Sequence, residues 1–345
     1  MHTFVNQKYL LDTFFRFVNT PSPVGYPVLM NPVLEEEAKR LGLSVTYDNR
    51  SNAYISLAGE DASKTVLVNA HLDTVGMIVT SIASDGSLAF RSIGSPNLCS
   101  AESENVTVHT RDGRIYTGLL LCKSHSIHAF DDTRTRERKD ESMMVVLDER
   151  VSTKADTLAL GIRVGDIISI DARPVLTEKG FLKSRYIDDK GAVACVFAVL
   201  KHMTEKGIAP KYNTVFQFTY YEENSGGVPV PDEVSEMVAI DIGIVACGQE
   251  GSEYAVSICP KDFSTVYDYA LTSHLVFLAE GGEIPFVTDV HYRYGSDVGV
   301  TLREGKNLRG ALFGMAVLGS HGVERTHIES LDATARLLYA YLTEK

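Results

Sequence analysis

Thr65-Val-Leu-Val-Asn-Ala-His71-Leu-Asp73-Thr-Val75 is a short β-branched apolar run that closes on a histidine and a carboxylate two residues apart. Such a run suits a buried strand. Side chains at i and i+2 on extended backbone share a face, so His71 and Asp73 can point together into a cleft at the carboxyl end of the strand. Open α/β sheets place their chemistry at that end. Two readings of the pair compete: a metal ligand with a carboxylate beside it, or a buried histidine held by a local hydrogen bond.

Upstream, residues 3–18 carry Phe4, Leu10, Leu11, Phe14, Phe15 and Val18 at helical spacing, and Pro21 and Pro23 end the pattern. A second helix is predicted over 27–41 with Gly42 as its C-terminal glycine, then strands over 44–47 and 53–57. Downstream, 77–175 offers short alternating runs broken by Ser84-Asp85-Gly86, Arg111-Asp112-Gly113 and Val164-Gly165-Asp166, without a long helix. That pattern predicts a small all-β domain, a barrel or a sandwich. Within it, 131–142 is a dense mixed-charge stretch that reads most simply as an exposed loop.

Helical patterning resumes after Asp188-Asp189 with Ala192, Ala194, Cys195, Phe197, Ala198 and Leu200. A strand over 214–221 ends at Glu222-Glu223, the apolar run 238–247 is interrupted by Asp241, a helix is predicted over 263–278 and a strand near 285–290. A loop holding Ser296-Asp297 follows, and an amphipathic helix over 330–342 comes last. The predicted fold is α/β, a mixed central sheet flanked by helices, made by 1–76 plus 176–345, with 77–175 inserted as a small all-β domain. Both connections of the insert then lie close to the suspected site.

The composition, 44% apolar and 23% charged over 345 residues, is that of an ordinary globular protein with two domains or one carrying a large insertion. A formal net charge of −12 argues against nucleic acid or an anionic membrane as partner. No apolar run approaches roughly 20 residues, the length of a membrane span. Nothing resembles a signal peptide, and five widely spaced cysteines without CxxC spacing read as small buried hydrophobes in a reducing compartment, so the expected location is cytoplasmic.

His71-x-Asp73, Asp188-Asp189, Glu222-Glu223, Asp241 and His327 all stand at or next to predicted strand ends. Asp241, inside Val238-Ala-Ile-Asp-Ile-Gly-Ile-Val245, needs a cation or donors nearby if buried. Glu222 and Glu223 would face opposite sides of a regular strand, and Asn224-Ser225-Gly226-Gly227 supplies the turn that lets both serve one site. Two divalent ions roughly 3.5 to 4 Å apart need a bridging carboxylate and a few terminal histidine or carboxylate ligands. Two histidines with several carboxylates and no thiolate suit zinc, cobalt or manganese.

The order His-x-Asp, Asp188-Asp189-Lys190-Gly191, Glu-Glu, Asp and a C-terminal His resembles the M42 family of dinuclear metallo-aminopeptidases, over nearly the whole chain. Lys123-Ser124-His125 and Leu160-Gly161-Ile162-Arg163-Val164-Gly165-Asp166 in the insert match as well. The resemblance implies two divalent metal ions, zinc in the first place, with His71 a ligand of the first and Asp73 orienting it. It makes Asp188 the bridge with Asp189 its neighbour, Glu222 the general base and acid, and Glu223 a ligand of the second metal. Asp241 then completes the first site and His327 the second, with His321 the alternative to His327.

It further implies a peptide substrate with a free N-terminus and self-association through the inserted domain. Thr74-Val75 after the first motif is similar instead to the M20 dipeptidases and deacylases, so a dipeptidase or deacylase for one small amide metabolite is the alternative function. A carbohydrate hydrolase would need two carboxyl groups facing each other across a sugar at about 5 to 10 Å, and the chain has no tryptophan for a platform. A paralogue without catalysis is disfavoured because all six metal and proton-handling positions hold suitable residue types.

Overall fold

The structure, a computed structural model, describes residues 5–224 and 227–344. Phe4 of the first helical pattern and the Ser225-Gly226 part of the expected turn lie outside the described residues. The opening stretch is the end of the strand Asp61–His71, whose last six residues are buried. It is the middle of a mixed sheet. Tyr212–Thr219 and Val234–Ile240 flank it in parallel, and Arg309–Val317 lies parallel beyond the latter. Ala53–Leu57 and Val256–Lys261 add antiparallel pairings on either side, with Thr46–Tyr47 and Phe286–Val290 at the rims.

Burial on both faces explains why these strands read as continuous apolar runs rather than alternations. Helix Ile187–Lys206 covers one face and is buried along almost all its length, with Phe197 stacked on Phe218 of the sheet and edge-on to Phe17 of helix Gln7–Val18. Its regular geometry begins only after Asp189: Asp188 and Asp189 have non-helical dihedrals. This leaves both acids on an extended entry at the carboxyl edge of the sheet. No helix of the described residues is long and apolar enough to cross a membrane.

Between the two halves of this α/β layer, six strands from Gly76–Ile82 to Ile167–Ile170 close into a barrel. Alternate residues such as Met77, Val79, Val106 and Val108 point inward to fill it. The 131–142 stretch is exposed in large part yet tied down, since the Arg138 guanidinium grips both oxygens of Glu102 and Asp140 accepts from the Ser92 amide. All five cysteines are free thiols; three are buried as expected, whereas Cys99 and Cys247 are exposed.

Several elements differ from expectation, among them the loop expected at Ser296-Asp297, which is the capped start of a short helix, Asp297–Arg303. The helix read over 263–278 begins at Tyr269, because the Asp262 carboxylate gathers the amides of Ser264 and Thr265 into a turn and Asp268 caps the helix that follows. The strands Val256–Lys261 and Arg309–Val317 carry no mark in the sequence reading, Pro260 and the glycines at 310 and 314 having masked their apolar pattern.

Candidate active site

The parallel strands end in one cleft of about 680 Å³, walled by Asp188, Glu222, Glu223, Ile242, Tyr294 and His321 among others. His71 ends its strand with Nδ1 facing the Asp73 carbonyl at 3.0 Å and Nε2 facing Asp188 Oδ1 at 3.1 Å. Asp73 is fully buried, and its two oxygens accept the Glu222 amide at 3.2 Å and the Glu223 amide at 3.1 Å. One side chain at the end of one strand thereby fixes the turn, Glu222–Asn224, at the end of the next. The turn reverses the strand parity that would have separated the two glutamates.

Asp188 turns one oxygen to each of two histidines: Oδ1 to His71 and Oδ2 to His321 Nε2 at 3.7 Å. His321 Nε2 also stands 3.2 Å from Glu223 Oε2, and Glu222 Oε2 lies 3.8 Å from His71 Nε2. Ligand-type atoms of His71, Asp188 and Glu223 all fall within 4.8 Å of one another, as do those of His71, Asp189 and Asp241.

His327 is not in this group. It sits on the short strand Glu324–His327, where Glu324 and Thr326 face the site side and Arg325 and His327 face away. Its Nε2 faces the Lys179 carbonyl at 2.8 Å, its Nδ1 accepts the Glu329 amide, and its ring packs on Phe181 and Tyr254. The histidine brought to the carboxylates is His321, so the expectation of His327 as the last ligand is corrected on the ground of strand parity.

Burial governs the electrostatics. It pushes the Glu222, Glu223 and Asp189 carboxyls well above the usual range, with neighbouring acids adding to the effect, and raises Asp241 to about 7. For His71, burial opposes the imidazolium, but hydrogen bonds to Asp188 and Asp73 and the charge of Glu222 prevail and raise its pKa. Among the described residues, Asp188, Glu222 and Glu223 have ion pairs only with His71 and His321, and Asp189 Oδ1 is buried without a partner. A divalent cation supplies what such a crowd of acids lacks.

Several residues escaped sequence reasoning. Glu324 is buried and accepts the Asp188 amide at 3.0 Å and the His321 amide at 3.1 Å, aligning a carboxylate and a histidine with its two oxygens. Asp297, raised to about 6 by burial, accepts from Thr219 and Asn69 behind the His71 strand. From the barrel side, the Ser95 carbonyl stands 2.9 Å from His321 Nδ1, and the Gly94 amide donates to Asn224 Oδ1. A lone acid in Gly322-Val-Glu324-Arg325 offers no pattern; His321-x-x-Glu324 is the signal that was present.

Comparison with known proteins gives a consistent result. The chain is 37% identical over 334 residues to "Putative aminopeptidase YhfE" of Bacillus subtilis (strain 168), covering 96% of both chains. Its fold matches the TET aminopeptidase of the marine sediment archaeon Thaumarchaeota archaeon SCGC AB-539-E09 (TM-score 0.88, 17% identity, 98% and 97% of the two chains). It also matches the TET1 peptidase of Pyrococcus horikoshii, which can assemble into a tetrahedron or a large octahedral shell (TM-score 0.83, 20% identity, 97% and 100%). Residues 51–337 match the M42 glutamyl aminopeptidase family, and with that match the chain belongs to this family of metal-dependent hydrolytic exopeptidases.

Proposed function

We propose that the protein is a dinuclear aminopeptidase that hydrolyses the N-terminal peptide bond of short peptides, with Glu222 as its proton carrier. His71, Asp188, Glu223, Asp241 and His321 are the residues that would hold two divalent ions, zinc first and cobalt or manganese next. The observation that carries this reading is Asp188, a buried carboxylate with one oxygen toward each histidine, the disposition a bridging ligand needs. When bound, such ions lower the pKa of water and polarise a carbonyl.

The chain's own groups do the rest. Glu222, at the cleft wall with a raised pKa, takes the proton of the attacking water and delivers it to the leaving amine. Asp73 keeps Glu222 and Glu223 at their posts through their amides, and Glu324 does so for Asp188 and His321. Residues 77–175 are proposed as the self-association domain, in keeping with the shells of the P. horikoshii relative. The free thiols fit a cytoplasmic location.

Elemental analysis of the purified protein combined with a library of free-amino peptides tests the reading. Bound divalent metal, activity on free amino termini, and a Glu222→Gln variant with unchanged metal and about 10²- to 10⁴-fold lower kcat are expected. Absence of any bound or activating divalent ion overturns it.

A further inference from the structure

We propose that the Tyr294 hydroxyl is a catalytic hydrogen-bond donor, directed at the oxygen of the scissile carbonyl as that oxygen becomes negative; this rests on the aminopeptidase reading of the cleft. Tyr294 lies on the loop after the strand Phe286–Val290 and forms part of the cleft wall beside Gly295 and Ile242. Its hydroxyl oxygen is buried and meets no hydrogen-bond partner among the described residues. It is close enough to Asp241 to favour that carboxylate, yet outside hydrogen-bond geometry. A buried hydroxyl left unpaired costs about 1–3 kcal/mol, so a native site that keeps one is arranged for something that arrives later.

The surrounding structure holds the ring in place. The Tyr294 carbonyl accepts the Phe263 amide at 2.8 Å, and its ring stands edge-on to His291 at 5.1 Å. Two residues on, the Ser296 amide donates to the fully buried Asp262 carboxylate, which also receives the Tyr267 hydroxyl at 2.6 Å and the amides of Ser264 and Thr265. A donor fixed in advance where charge develops needs no reorganisation during the reaction. The phenol is ordinarily protonated at neutral pH, as a donor must be.

In the step itself the water oxygen bonds to the carbonyl carbon while Glu222 takes a water proton. The carbonyl π pair moves onto its oxygen, and that anion receives the Tyr294 O–H hydrogen bond. On collapse the pair returns, the C–N bond breaks, and the amine nitrogen takes the proton back from Glu222. Tyr294 keeps its own proton throughout.

Tyr294→Phe removes one oxygen atom and leaves the ring packing. The expected result is a kcat about 10²- to 10³-fold lower at nearly unchanged KM, with the wild-type metal content. Affinity for the α-aminophosphonic acid matching the best substrate's first residue, whose tetrahedral anion mimics the intermediate, should fall about 100-fold. Affinity for the corresponding free amino acid should stay within about threefold. A variant within twofold of wild-type kcat, a loss that follows loss of metal, or equal weakening of both ligands overturns the proposal while leaving the aminopeptidase reading in place. A wild-type protein that cuts no peptide with any divalent ion overturns both.

Discussion

Glu324 and Asp73 are a matched pair of organisers, each a buried carboxylate that spends both oxygens on backbone amides of the residues it positions. His321 and His327, six positions apart, separate site from scaffold. His321→Ala is expected to lower bound metal by about one equivalent and to abolish most hydrolysis. His327→Ala should keep its full metal and lose a helix cap, the contact with the Lys179 carbonyl and the ring packing on Phe181 and Tyr254, together about 1–3 kcal/mol of stability. Metal analysis alongside urea unfolding reads both, and metal loss from the second variant but not the first would contradict the assignment. His71, Asp188, Glu222, Glu223 and Asp241 were legible because each ends or interrupts an apolar run, where a charge needs a reason. His321 was not separable from His327, since one lies in the turn before the strand Glu324–His327 and the other on the strand's outward face, a difference that no local pattern fixes. Tyr294 is one of 16 tyrosines and nothing near it in the chain announces an unpaired hydroxyl.

Among the elements, the segment 94–97 of the barrel side reaches the site. The Gly94 amide binds Asn224, the Ser95 carbonyl faces His321, and the Asn97 amide donates to the His321 carbonyl at 2.9 Å. Gly94 has a φ of +70°, and a Cβ there would come within 2.9 Å of Val75 Cγ1 and 3.4 Å of Glu223 Cβ. Gly94→Ala is expected to cost about 1–2 kcal/mol and, by displacing the Glu222–Asn224 turn, to lower kcat about tenfold at unchanged fold. Thermal unfolding and steady-state kinetics on one preparation check both effects; an active, fully stable variant would show that the segment is only a neighbour. The helices Gln7–Val18, Ile187–Lys206 and Ile328–Thr343 and the barrel turns were legible from periodicity and Asp-Gly pairs. The strand Arg309–Val317 was not, because its Gly314 serves the tertiary structure: a Cβ there would lie 1.9 Å from the Asp241 carbonyl oxygen. That glycine lets the neighbouring backbone carry Asp241 to the cleft, at the expense of a recognisable strand pattern.

For the whole molecule, His109 couples barrel and α/β layer to acidity. It is buried at the end of the barrel strand Asn105–His109 against Tyr26 at 5.2 Å, with Nε2 facing Ser169 Oγ and Nδ1 unpartnered. Burial pushes its pKa down to about 4, against about 6.5 in the unfolded chain. Above pH 6.5 neither state binds the proton. As pH falls from 6.5 to 4 the unfolded chain takes it and the folded one does not, so stability drops and levels off below 4. The difference between wild type and His109→Gln should change by on the order of 2 kcal/mol between pH 7 and 4.5 in urea unfolding. Parallel pH curves for the two proteins would remove His109 from this role.

The convergence of residues 71, 188, 222, 223, 241 and 321 on one cleft also sets a timetable for the chain as it is made. Along the chain His71 comes first, then the roughly hundred residues of the barrel, and His321 last of the six. A half-synthesised copy has neither the crowded acids to concentrate a metal nor the turn that positions Glu222. The cleft therefore exists only in the completed fold, where segments separated by the whole barrel meet at the ends of the parallel strands.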